Sequence, residues 1–220
     1  MKTLLVNAML AAAVVASATT SLGAADGRLK DAATVLTEMA ASSDTGIPLS
    51  LMAKAKCVVV IPGVKKAALG VGGQYGRGYL VCRNATGWSA PAGVRLEGGS
   101  VGLQIGGTDT DVLLIVLNDR GVDRLLASKF TIGADAAVAA GPVGRQASAQ
   151  TDATMMAEML AWSHSRGAYV GISLQGSTLR EDTSENKELY GSEMTSKAIV
   201  KGTHPAPPGA ADLMAALAKY

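Results

Sequence analysis

Apolar and polar positions change rhythm several times along the chain. Leu4 to Ala16 is an apolar run broken only by Asn7, with Lys2 before it and Ala16-Ser17-Ala18 closing it. A positive start, a short apolar stretch and a small-x-small end mark an export signal, which predicts a signal peptide over 1–18 with an alternative cut after Ala25. The run is shorter than the roughly 20 residues that a spanning helix needs. Leu29, Ala32, Ala33, Leu36, Met39 and Ala40 then recur at helical steps, with Arg28, Lys30, Asp31 and Glu38 between them. This spacing predicts an amphipathic N-terminal helix within 28–46. Pro48 suits the first turn of a second helix over about 48–55.

From Cys57 to Leu117 the rhythm becomes that of strands: short apolar runs at 57–61, 67–72, 77–83, 87–95, 99–106 and 110–117. Two clusters of glycine, Gly70 to Gly78 and Gly98 to Gly107, would weaken a flat sheet and predict sharp bending or close backbone packing. Asn118 and Asp119 cap a helix over about 119–128. Residues 132–160, rich in Ala and Gly, read equally as strand or helix. A strand at 169–174 is expected to pair with 157–164, and helices at about 184–200 and 209–219 flank a stiff linker, His204-Pro205-Ala206-Pro207-Pro208. No repeat of 20 to 50 residues is present. The fold class expected is α+β: one domain over about 47–200, with a coiled or partly closed, mainly antiparallel sheet and flanking helices, then a Pro-rich linker and C-terminal helix over 201–220.

Composition narrows the partners. The chain has 220 residues, 48% hydrophobic and 17% charged, which suits a packed core and excludes wholesale disorder. Lys and Arg exceed Asp and Glu by only 20 − 18 = 2, so there is no global field to gather nucleic acid. Any anionic partner must be met by a local patch. The only cysteines, Cys57 and Cys82, sit in two β-rich runs. In an exported chain they are expected to form a disulfide if those runs pair as an antiparallel hairpin; two buried free thiols are the other reading.

Catalytic and cofactor motifs fail on inspection. Gly70-Val71-Gly72-Gly73-Gln74-Tyr75 misses the last glycine of a dinucleotide fingerprint, and Gly102 to Thr108 lacks the phosphate-binding lysine. Gly171-Ile172-Ser173-Leu174-Gln175-Gly176 sets its second glycine one residue too late for a nucleophile elbow. His164 and His204 are the only histidines, and Asp109-Thr110-Asp111 lacks the rest of a calcium loop, so turn capping is its better reading. The expectation is therefore no catalytic residues, no metal and no cofactor. What remains is basic: Lys54, Lys56, Lys65 and Lys66 surround the first strand, and Arg77 and Arg83 lie on its expected hairpin partner. If gathered on one edge beside the amphipathic helix, these six cations would bind anionic lipid head groups. The alternative is a solvated face that keeps the hairpin soluble.

Longer segments carry a resemblance. Ala55-Lys56-Cys57-Val58-Val59-Val60-Ile61-Pro62, Trp88-Ser89-Ala90-Pro91, Gly102 to Gly107, Asp111 to Asn118, Ala140 to Arg145, Ser163 to Gly167, Gly171 to Ser177 and Asn186 to Gly191 occur in the order of the SYLF domain, the Ysc84-type actin-binding or lipid-binding domain. The chain resembles that family over about 47–200. The resemblance implies a single non-enzymatic α+β domain that binds phospholipid with help from its N-terminal segment. Some fungal members also bind actin, and bacterial members resemble exported envelope proteins. The chain departs from the family pattern at Ala68, where an aromatic is common, and at His164. The combined expectation is a periplasmic or secreted module, a bacterial exported member, that meets an anionic phospholipid membrane surface peripherally. A protein-interaction or structural envelope module with a protein partner is the alternative, and nucleic acid is not expected.

Overall fold

The computed structural model describes residues 23–41, 46–135, 138–141, 157–165, 168–169, 174 and 176–220. The expected signal peptide lies outside the described residues. Among the described residues helix α1 covers 23–41, and it starts ahead of residue 28, where the sequence rhythm placed it. Its apolar stripe, Leu29, Leu36 and Met39, is fully buried. Helix α2, Leu49–Lys54, follows.

The six expected strands fuse into two very long ones, β1 (Cys57–Asn84) and β3 (Ala92–Val116), with a two-residue strand β2 (Gly87–Trp88) in the loop between them. They pair antiparallel from Cys57↔Val116 to Leu80↔Ala92, with irregularities at Ile61/Val64 and Leu69/Gly70. At the first, Gly63 takes φ 58°, and its N–H donates to Asp111 Oδ1 at 2.8 Å. Asp111 thus caps a bulge, in keeping with the capping expected of Asp109-Thr110-Asp111.

The expected hairpin between 57–61 and 77–83 does not exist as such. Both segments belong to β1 and each pairs with β3. The ribbon instead coils until its open end meets its loop end. Arg83 N–H donates to the Lys56 carbonyl at 2.7 Å, and Cys57 and Cys82 are joined by a disulfide. The expected bond is present, but coiling rather than hairpin pairing brings the sulfurs together.

After β3 come α3 (Asp119–Leu125), capped by the Asn118 side chain, then β4 (Lys129–Thr131), β5 (Val138–Ala140), β6 (Met159–Ser165), β7 (Ala168–Tyr169) and β8 (Thr178–Glu181). β6 pairs with β3, β5 and β7, and β8 pairs with β3 and β4, completing an eight-stranded sheet. Among the described strand pairs only β5–β6 is parallel. The strand expected at 169–174 is represented by β7, which pairs with β6 as anticipated; 170–173 lie outside the described residues. The helix expected over 184–200 is two, α4 (Thr183–Tyr190) and α5 (Ser196–Lys201), because Gly191 at φ 71° turns the chain between them. A 3₁₀ turn, Pro208–Ala210, leads into α6, Ala211–Leu217. The result is the single α+β domain expected.

Cys57 to Ile61 and Val112 to Val116 lack alternation because both faces of these strands are covered. Val58, Val60, Tyr79, Leu113 and Ile115 pack outward under α1, α2 and α6. Cys57, Val59, Ile61, Leu114, Leu96, Phe130 and Leu179 fill the inside of the curl, closed by Ile199 of α5.

Candidate functional site

The six expected cations fall into two groups. Lys54, at the end of α2, is exposed. Lys56 pairs through Nζ with Asp119 Oδ1 at 2.5 Å. Arg83 is consumed by the fold: it donates to the carbonyls of Ala55 at 2.9 Å and Tyr220 at 2.7 Å, and its guanidinium lies 4.3 Å from the centre of the Trp88 ring. These three stand at the corner where α2 enters β1. Lys65 and Lys66 lie nine and ten residues beyond Lys56, about 30 Å of strand contour away. The single basic edge is therefore corrected to a structural corner and a separate rim, because β1 runs on where a turn was expected.

At the rim, Lys65 is exposed opposite Asp109, and Lys66 is half-buried opposite Thr108. Tyr75, 49% exposed, stands beside Lys65. Lys65 and Tyr75 form a shared wall between two open hollows. One, of about 620 Å³, lies between α1 and β1 and also carries Arg28, Asp31, Glu38 and Arg77. The other, of about 470 Å³, adds Lys66, Gln74, Thr108 and Asp109. The first mixes both signs of charge; two lysines set the character of the second, with Asp109 its one acidic group.

Arg77 sits at the floor of this region and is bound from below. Its Nε is 2.6 Å from Asp182 Oδ2, and its Nη2 is 3.1 Å from Glu185 Oε2, while Arg28 of α1 reaches the same Glu185 oxygen at 3.0 Å. The Tyr79 hydroxyl lies between Glu185 Oε1 and the Ala25 carbonyl, 3.0 Å away, so one proton serves two acceptors. The hydrogen bond that Arg77 donates to Asp182, against an opposing burial effect, holds the Arg77 guanidinium above its usual range. Burial, then the Glu185 charge, pushes the Tyr79 hydroxyl up. Burial raises the Asp182 carboxyl, but Arg77, the Ser184 hydroxyl and the Glu185 amide together outweigh it and hold the group below its usual range. The cluster locks α1, β1 and α4 together and keeps Arg77 charged yet committed.

Sequence reasoning missed Tyr75, Tyr79, Arg28 and the Asp182–Glu185 pair. Tyr75, Arg77 and Tyr79 share one strand face by alternation, and Asp182-Thr183-Ser184-Glu185 carries the spacing of a capping box. Asp182 caps α4 by accepting from Glu185 N–H at 3.1 Å. The amphipathic N-terminal helix does not turn its apolar stripe outward: Leu29, Leu36 and Met39 lie in the core, while Arg28, Asp31, Thr34, Val35 and Glu38 line the first hollow. His164 is half-buried on β6, opposite Asp111 and Tyr169. Among the described residues no cluster of His, Cys, Asp and Glu is arranged to hold a metal ion, and no helix is long and apolar enough to cross a membrane.

A family profile described as "Ysc84: Las17-binding protein actin regulator" matches residues 97–220, more than half of the chain. The chain belongs to the Ysc84 (SYLF) family. An SH3 domain-containing protein of Schizosaccharomyces pombe is 39% identical over 171 residues, covering 76% of this chain and 39% of the relative. Protein YSC84 of Saccharomyces cerevisiae is 34% identical over 178 residues, covering 78% and 37%. The human SH3 domain-containing YSC84-like protein 1 is 33% identical over 172 residues, covering 77% and 50%. The chain spans between about two fifths and half the length of these Ysc84 relatives. The family description is that of a binding and regulatory protein, and none of the three names is that of an enzyme.

Proposed function

We propose that this Ysc84-family chain is an exported, non-enzymatic module that binds anionic phospholipid surfaces at the rim formed by Lys65, Lys66 and Tyr75. The observation that carries the reading is the juxtaposition of two lysines and a half-exposed ring around an open hollow. Lysine ammonium groups near an anionic membrane contribute about 1 kcal/mol each, and a tyrosine suits the boundary between head groups and water. Arg77 supports the rim from beneath. Lys54, Lys56 and Arg83 stand outside this site. Export rests on the signal-like run from Leu4 to Ala16, and the Cys57–Cys82 bond suits an oxidising compartment.

The test is co-sedimentation with phosphatidylglycerol-containing vesicles over a range of salt. Wild-type binding should weaken as ions screen it, and the Lys65→Glu/Lys66→Glu protein should bind several kcal/mol more weakly while keeping its fold. Unchanged binding by the folded double variant refutes the reading. The family's description as Las17-binding favours a second reading, a protein-interaction module, which lipid-independent capture would support.

A further inference from the structure

Arg77, Arg95, Arg180 and Lys129 lie directly opposite one another across four neighbouring strands, β1, β3, β8 and β4. Directly paired residues share a sheet face, so the four cations form one row, about 4.8 Å between neighbours and about 14 Å from end to end. The adjoining row on that face is Tyr75, Glu97, Thr178 and Thr131. The alternating residues Leu96, Leu179 and Phe130 are buried within the curl, which puts the cation row on the outer face. Arg95 and Arg180 keep 34% and 40% of their side-chain surface in solvent, and Lys129 is exposed.

Like charges directly opposite one another destabilise a sheet, and here three successive pairs are alike. Compensation within the fold is thin. Arg77 is committed to Asp182 and Glu185. A single carboxylate, Glu97, lies 2.8 Å from Arg95 Nε and 3.3 Å from Arg180 Nε. Both Nε atoms are closed to solvent, and neither N–H is aligned for a hydrogen bond despite those distances. Lys129 has no ion pair among the described residues. The other three cations, Arg95, Arg180 and Lys129, held against this repulsion with one ill-aligned internal anion, are suited to an external set of carboxylates.

The chemistry favours a protein over a membrane. Guanidinium forks match carboxylates in geometry, and Glu97 already seats a carboxylate between two of them. Arg and Tyr are the residues that protein interfaces enrich, and Tyr75 is the exposed large apolar side chain beside the row among the described residues. We propose that the outer face of β1, β3, β8 and β4 docks a carboxylate-rich protein segment, which displaces Glu97 from between Arg95 and Arg180. The surface meets the lipid rim at Tyr75 but relies on different cations, so the two readings stand or fall separately.

The experiment measures binding of a fluorescent oligo-glutamate peptide to the full chain by anisotropy, with circular dichroism and melting as controls for folding. The wild type should bind, and more weakly as salt rises. Each exposed charge pair is worth about two- to fivefold, so Arg95→Gln/Arg180→Gln should bind about tenfold more weakly. Glu97→Gln, which frees both guanidinium groups, should bind about threefold more tightly. Lys65→Glu/Lys66→Glu, tested for vesicles above, should retain peptide binding to within a factor of about three. The proposal is overturned by absence of salt-sensitive peptide binding, by a folded arginine double variant that binds like wild type, or by a Glu97→Gln protein that gains nothing. It is equally overturned if the arginine variant loses vesicles and keeps the peptide, since the face would then belong to a membrane.

Discussion

Gly78 faces the main chain of Val60 so closely that a Cβ placed on it would lie 2.0 Å from the Val60 carbonyl oxygen and 2.7 Å from the Ile61 Cα. Both residues belong to β1, so the strand packs against itself, and backbone rather than a flexible side chain fills the space. Gly78→Ala should therefore cost about 3 kcal/mol or more in urea unfolding, since neither partner can withdraw. Gly73→Ala, whose Cβ would find its nearest neighbour at 3.7 Å, should stay within about 0.5 kcal/mol. Equal stability of the two variants would mean that the ribbon does not coil this tightly.

The same closure governs the disulfide. Cys57 and Cys82 are 25 residues apart, and bridging a loop of that size stabilises by roughly 3 kcal/mol in chain-entropy terms. Reduction should lower the melting temperature by roughly 6 to 12 °C for a domain of this size. Denaturation without reductant should expose no thiol to a labelling reagent. Two labelled cysteines in protein purified from an oxidising compartment would reject the bond.

How much of this was legible in the sequence depends on range. Val58 to Ile61 and Val112 to Val116 announced strands, and the crowded glycines announced bending; both are local signals. Fusion of six runs into two strands was not legible, because glycines that interrupt an apolar pattern look the same whether they end a strand or let it pass close to another backbone. Arg77 looked like a free surface cation because its partners Asp182 and Glu185 lie more than 100 residues away. Arg83 was misjudged in the same manner, since its acceptors are main-chain carbonyls, which leave no trace in composition. The cation row could not be found at all without strand register, since Arg77, Arg95, Lys129 and Arg180 are scattered in the chain.

Asp182 makes stability depend on acid. Its side chain is 1% exposed and its carboxyl is held below the usual range by Arg77, Ser184 and the Glu185 amide, which together outweigh the opposing effect of burial. A depressed carboxyl stabilises fully above its ordinary unfolded value near 3.9, and that contribution is lost as pH falls through the lower folded value. Thermal midpoints should hold from neutrality down to about pH 4 and drop below it. Asp182→Asn should cost about 3 kcal/mol at pH 7, because it leaves Arg77 short of a charged partner, and it should flatten the acid limb. An acid limb as steep as that of wild type would place the sensitivity elsewhere.

The cluster beneath the rim also discriminates between the two expected sites of signal cleavage. Ala25 is 1% exposed and its carbonyl meets the Tyr79 hydroxyl at 3.0 Å, while residues 23–25 form the first turn of α1. Cleavage after Ala25 would strip that turn and remove a buried acceptor. It would also put a new ammonium group, on Asp26, close to Arg28 and the 3₁₀ turn at Gly209, against which the Asp26 carboxyl already packs. Cleavage after Ala18 keeps all of these contacts. Mass spectrometry of protein recovered from the envelope fraction should therefore find Thr19 as the first residue. A recombinant chain that begins at Asp26 should be less stable by about 1 to 3 kcal/mol, with faster amide exchange through α1, because the helix loses a turn and Tyr79 loses one of its two partners. Recovery of an Asp26 terminus with undiminished stability would show that the first turn of α1 is dispensable. An intact Met1 on the exported protein would remove the export reading itself.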